Sequence, residues 1–141
     1  MGRVFFDVRE NVHSLTADYQ ALASDSGKVF MFNAAAGLTM TLPAVADAQE
    51  GWNCRVYIAT NISSNTGVIT EKTASDTDVI IAQKNELETD DTEDGPSSTG
   101  CTTITFANAA DTVGDNLHIV CDGSKYYVTG STKLDGAITL A

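Results

Sequence analysis

Apolar and polar side chains alternate with a period close to two, in short runs spread from one end of the chain to the other. That pattern constrains the fold more than any other feature. Leu38-Thr39-Met40-Thr41-Leu42 alternates without a break, and so do the large apolar residues of Cys54-Arg55-Val56-Tyr57-Ile58-Ala59-Thr60. Successive side chains of a strand point to opposite faces, so such runs read as strands with one buried face. Gly27-Lys28-Val29-Phe30-Met31-Phe32-Asn33 is a further strand, with Phe30 and Phe32 on one face and assigned to the core. Val68-Ile69-Thr70, Asp78-Val79-Ile80-Ile81-Ala82, Thr102-Thr103-Ile104-Thr105-Phe106 and Ala137-Ile138-Thr139-Leu140 follow the same rule. Leu117-His118-Ile119-Val120-Cys121 and Lys125-Tyr126-Tyr127-Val128-Thr129 flank Asp122-Gly123-Ser124, a strong hairpin turn. Gly, Asn, Asp and Ser between the runs come at the spacing of a sandwich or barrel. The expected fold is all-β: a single-domain antiparallel β-sandwich of jelly-roll-like type.

Helix signals are sparse. Pro43, then Ala44 to Glu50, then Gly51 suit one or two turns, with Pro at the start and Gly just past the end. Asn108-Ala109-Ala110-Asp111 reads as another single turn. Two segments stand apart from the strands. Residues 1–15 carry Val4-Phe5-Phe6 and Val8 and then turn polar; they are expected to form an extended N-terminal arm ahead of a domain over residues 16–141. Residues 83–100 hold Glu86, Glu88, Asp90, Asp91, Glu93 and Asp94 and then Gly95-Pro96-Ser97-Ser98, a long acidic surface loop. No internal repeat is evident.

Composition narrows the function. Lys and Arg total 8 against 19 Asp and Glu, a formal net charge of -11 over 141 residues. So acidic a surface repels phosphate backbones, which argues against a nucleic-acid partner. No apolar run approaches the roughly 20 residues of a membrane-spanning helix, so no membrane partner is expected. The opening Met1-Gly2-Arg3-Val4-Phe5-Phe6-Asp7 lacks the long apolar stretch of a secretion signal. Cys54, Cys101 and Cys121 are odd in number and widely spaced, with no CxxC pair, and His13 and His118 lie far apart. The cysteines therefore read as reduced thiols packed in strands, and no metal site or cofactor is expected.

Chemistry fares no better. Counting an EF-hand from Asp90 puts Asp94 at the fifth position and Gly95 at the sixth, but Cys101 stands at the twelfth where Glu is needed. His118 lies on the opposite strand face from Leu117 and Ile119, an ordinary strand position, and His13 falls in the arm. Asp76 and Asp78 share a strand face without evidence of the groove that paired-carboxylate catalysis needs. Neither a nucleophile elbow nor a phosphate-binding glycine loop occurs. No catalytic residue is assigned, and no enzymatic activity is expected. Among the aromatics, Tyr126 and Tyr127 point to opposite faces, so one of them meets solvent or a partner, and Trp52 is a second aromatic of interest.

Several stretches carry a resemblance. They are Leu15-Thr16-Ala17-Asp18-Tyr19, Asp25-Ser26-Gly27-Lys28-Val29-Phe30, and Ala34-Ala35-Ala36-Gly37 running into Leu38-Thr39-Met40-Thr41-Leu42-Pro43. Gly114-Asp115-Asn116-Leu117 and Cys121-Asp122-Gly123-Ser124-Lys125-Tyr126-Tyr127-Val128-Thr129-Gly130 complete the set. Together they resemble the small β-rich structural modules of tailed bacteriophages, over residues 15–141 apart from the acidic loop. The resemblance implies a capsid decoration (cement) protein, a homotrimer on the outside of the head that clamps neighbouring major capsid proteins. It would be made in the bacterial host cytoplasm and reside in the virion. On that reading Arg3, Val4, Phe5, Phe6 and Val8 contact the capsid or a neighbouring subunit. The alternative is a tail-fibre or spike receptor-binding module, with Trp52, Tyr126 and Tyr127 as candidates for contacting host glycan.

Overall fold

The computed structural model describes residues 11–72, 79–86, 100–108 and 110–141. The arm residues Arg3, Val4, Phe5, Phe6 and Val8, the bulk of the acidic loop (residues 87–99), Asp76 and Asp78 lie outside the described residues. The strands are β1 (Asn11–Leu15), β2 (Tyr19–Gln20), β3 (Lys28–Phe32), β4 (Leu38–Leu42), β5 (Glu50–Ile58) and β6 (Gly67–Glu71). They continue with β7 (Ile80–Glu86), β8 (Thr103–Phe106), β9 (Asn116–Asp122), β10 (Tyr126–Thr132) and β11 (Ile138–Leu140). One helical turn, α1 (Val45–Ala48), follows Pro43 as expected. It ends at Gln49, which takes a φ of 64°, while Gly51 (φ 89°) instead lies in the register break that opens β5.

The fold is all-β, but it is not antiparallel. A six-stranded sheet has the order β1-β3-β5-β9-β10-β7, and a five-stranded sheet the order β11-β8-β6-β4-β2. Within these, β1 and β3, β3 and β5, β2 and β4, β4 and β6, and β7 and β10 pair in parallel. The first six strands alternate between the two sheets, so the chain winds as a coil of three turns, each turn giving one strand to each sheet. The antiparallel expectation fails because a strand whose partner lies one coil turn away carries no local signal of direction. Four of the later strands are laid on antiparallel, β9 against β5, β10 against β9, β8 against β6 and β11 against β8, while β7 joins β10 in parallel.

Two sequence boundaries move. Asn11–Leu15, assigned to the arm, is the edge strand of the larger sheet, with His13 and Leu15 turned inward. Its polar composition is that of an edge strand, which disguises it. Gln83 to Glu86, assigned to the acidic loop, belong to β7, in register with Thr129 to Thr132 of β10. Glu86 accepts the Lys84 ammonium at 2.8 Å, and Lys84 also donates to the Ile138 carbonyl.

Both sheets feed one hydrophobic cluster. Phe30, Phe32, Val56, Ile58, Leu117, Ile119, Tyr126 and Val128 come from the larger sheet, and Met40, Leu42, Ile69, Ile104, Phe106 and Ile138 from the smaller. Phe32 and Phe106 meet across it edge to face, ring centres 6.0 Å apart. Each large apolar side chain buried this way contributes about 1.5–3 kcal/mol relative to exposure. Gly130 sits in the middle of β10 because a Cβ there would run into Leu117 Cδ2. Gly37, with φ 77°, stands where a Cβ would lie 2.5 Å from the Thr66 carbonyl of the next coil turn.

Candidate functional site

The hairpin between β9 and β10 forms as its sequence dictates. Asp122 Oδ1 accepts the N–H groups of Ser124 (2.8 Å) and Lys125 (2.7 Å), and Gly123 supplies the positive φ of 89°. The N–H donors of Lys125 and Ser124, followed by the Tyr127 hydroxyl, hold the Asp122 carboxyl below the usual carboxylate range. The turn fixes the register: Tyr127 lies opposite Val120, and Thr129 opposite His118. On its other side β10 sets Tyr127 beside Ile81 and Thr129 beside Gln83.

The two adjacent tyrosines part company here. Tyr126 is fully buried; its hydroxyl donates to the Pro43 carbonyl at 2.8 Å and its ring meets Trp52 edge-on. Burial drives its phenol well above the ordinary value. Trp52 is buried too, with Nε1 donating to the Leu22 carbonyl at 3.1 Å. Neither can present a face to an external glycan, so the sequence assignment of Trp52 and Tyr126 as contact residues is corrected: both are core anchors. Tyr127 is 48 % exposed, and the negative charge of Asp122, with the hydrogen bond between them, raises its phenol.

Around Tyr127 the outer face of the larger sheet forms an open depression of about 230 Å³, lined by Ile81, Gln83, His118, Val120, Tyr127 and Thr129. It has two rows. Val120, Tyr127 and Ile81 make an apolar row, and His118, Thr129 and Gln83 a polar one. A second hollow, about 320 Å³, lies along Asp18, Tyr19, Gln20, Thr39 and Thr41. There Asp18 is committed to the Thr39 N–H at 2.7 Å, and the Tyr19 ring packs on His13 and Phe30.

The remaining reactive groups are used in packing. Cys54, Cys101 and Cys121 are free and buried, and burial raises the thiols of Cys54 and Cys121. His13 is held between Tyr19 and Phe30. Asp25 is buried and accepts from Tyr19 Oη (2.9 Å), the Leu22 N–H (2.8 Å) and Lys28 Nζ (2.7 Å). Asp115 accepts from the Thr112 N–H and hydroxyl and from the Lys133 N–H. Asp111 accepts the Ile62 N–H at 2.9 Å. Among the described residues no three His, Cys, Asp or Glu side chains gather as a metal site, and no helix is long and apolar enough to cross a membrane.

Of the contact residues assigned from sequence, Tyr127 alone lies in the depression. His118 stands on the outer face, as its alternation with Leu117 and Ile119 predicts, and borders the depression. Gln83 was missed because it was read as loop. Val120 and Thr129 follow from the hairpin register, a signal already in the sequence. Compared with protein-family models, curated proteins and solved structures, the chain matches none.

Proposed function

We propose that this chain is a virion component, a capsid decoration protein whose two sheets pack as a β-sandwich and which clamps neighbouring major capsid proteins from outside the head. One observation carries the reading. The first coil turn ends both sheets: among the described strands, β1 and β2 each pair on one side only. An open edge of this kind is a template for a strand from another chain, and strand addition gives many main-chain hydrogen bonds at once. Residues 1–10 precede β1 directly and carry Val4, Phe5, Phe6 and Val8. In this reading Arg3 and those four side chains lie along the shell or a neighbouring subunit of a homotrimer. The buried cysteines and aromatic anchors supply durability, which a particle component needs more than a reactive pocket. Binding only the assembled shell stabilises it by mass action.

Deletion of residues 1–8 tests this. The truncated chain is expected to keep its cooperative unfolding, since the core cluster begins at Leu15. It is expected to lose sedimentation with capsids that lack the protein. Undiminished capsid binding by the truncated chain would overturn the arm's role.

A further inference from the structure

We infer that the depression around Tyr127 is a carbohydrate site that takes one neutral pyranose ring, with Tyr127 as the stacking platform and Gln83, His118 and Thr129 as its hydroxyl partners. The inference does not depend on the decoration reading, because the site would serve a module on the head or on the tail.

The chemistry of the two rows selects this ligand. Val120, Tyr127 and Ile81 form one line across three strands, and His118, Thr129 and Gln83 the next line on the same face. Lines of same-face residues two positions apart are separated by about 6.8 Å along the strand. A pyranose is amphipathic in the same way: a C–H face that lies on an aromatic ring, and a rim of hydroxyls that both donate and accept. An amide, an imidazole and a hydroxyl offer both functions to such a rim. An apolar peptide side chain would leave those three groups stripped of water and unpaired, which is costly. An anionic sugar would meet the Arg55 side of the face, across from His118, as well as the Asp122 carboxylate, so what disfavours it is the chain's net charge of -11. A cation would need that carboxylate as its partner, yet Asp122 Oδ1 is already engaged by the Ser124 and Lys125 N–H groups.

Two further observations fit. The depression, at about 230 Å³, is smaller than the roughly 300–1,000 Å³ of drug-sized sites, which suits a single ring in place of a chain of sugars. Tyr126, its sequence neighbour, satisfies its hydroxyl inside the core. The exposed tyrosine is therefore not a core residue left uncovered.

The test is titration of the full chain with the methyl glycosides of glucose, galactose and mannose, and with N-acetylneuraminic acid as the charged control, followed by backbone NMR. At least one neutral glycoside is expected to saturate with a dissociation constant of about 1–10 mM, the range open to a ligand of this size. Its resonance shifts are expected to centre on Gln83, Val120 and Tyr127. Tyr127→Ala is expected to weaken binding by roughly tenfold or more, while Tyr127→Phe, which keeps the ring, weakens it by only about threefold. The urea midpoint of both variants reports that the fold is intact. Absence of saturation by every neutral glycoside up to ~50 mM would overturn the site, as would binding that survives Tyr127→Ala. A Tyr127→Ala protein with a lower sedimentation coefficient than the parent would also overturn it, because the face would then be covered by a second copy.

Discussion

The first six strands and the last five reach the same core by opposite routes. In the coil, each strand crosses to the other sheet, and successive turns are stitched at their corners. At one corner Asn33 Nδ2 donates to Ser14 Oγ of the turn before (3.3 Å), and Thr60 Oγ1 of the turn after donates to Asn33 Oδ1 (2.5 Å). At another, Asn65 Nδ2 donates to the Ala36 carbonyl and Ser63 Oγ to the Ala35 carbonyl. In the second half the strands are added to the coil's two sheets: β9 and β10 form a hairpin, β8 and β11 pair antiparallel, and β7 ends the larger sheet in parallel with β10. The two halves are joined by β9 on β5 and β8 on β6, and by the Asp111 carboxylate on the Ile62 N–H. A coil places its information in distant contacts, a hairpin in its turn.

If the halves share one core, breaking either side of it unfolds both. Phe32→Ala in the coil and Phe106→Ala in the second half are each expected to cost about 3–5 kcal/mol. Both should do so in a single urea transition seen alike by fluorescence and circular dichroism. Two separated transitions in either variant would show that the halves fold independently.

The next effect sets the two acids against each other. Burial acts to raise Asp25, but hydrogen bonds from Lys28, Leu22 and Tyr19 outweigh it and hold the carboxyl below the usual range. Its contribution is therefore present above the usual carboxylate range and lost as pH falls through its lowered folded value. Asp111 goes the other way: burial raises it, and the charge of Asp115 adds to that, against the Ile62 N–H. Its contribution is fully present below the usual carboxylate range and lost as pH rises through its raised folded value. Asp25→Asn is expected to cost roughly 1.5–3 kcal/mol at neutral pH and progressively less in acid. Asp111→Asn, which keeps an acceptor for Ile62, is expected to compare better with the parent at neutral pH than in acid. Stability curves measured from acid to neutral pH check both, and equal slopes for the two variants would contradict the assignment.

The smallest effect separates adjacent tyrosines. Tyr126→Phe orphans the Pro43 carbonyl and is expected to cost about 1–2 kcal/mol, whereas Tyr127→Phe on the outer face stays within about 0.5 kcal/mol of the parent. A reversed order in urea midpoints would show that the outer face is the more structural one.

The sequence made the hairpin and the buried faces of single strands legible and hid the order in which the strands pair. Asp122-Gly123-Ser124 announces its hairpin because an Asx turn is local, and the alternation of β4 and β5 gave their buried faces directly. The coil leaves no repeat to find, since its turns differ in length: Asn11 pairs with Lys28, 17 residues on, but Lys28 pairs with Cys54, 26 residues on. The edge strand β1 was hidden by polarity, with Val12 facing solvent and His13 facing the core. The site was half legible. Alternation says that one of Tyr126 and Tyr127 is exposed, but which one depends on packing against Trp52 and Pro43, both far away in sequence. Gln83 joined it only through the parallel pairing of β7 with β10, which no local pattern encodes.

The central claim, that this is a shell component, is tested most directly by copy number. Quantitative mass spectrometry of purified virions carrying this chain's gene would ratio it to the major capsid protein. The account predicts a ratio of about one to one, or a simple fraction set by the symmetry of the shell. A ratio hundreds of times smaller, or absence from the particle, would contradict it.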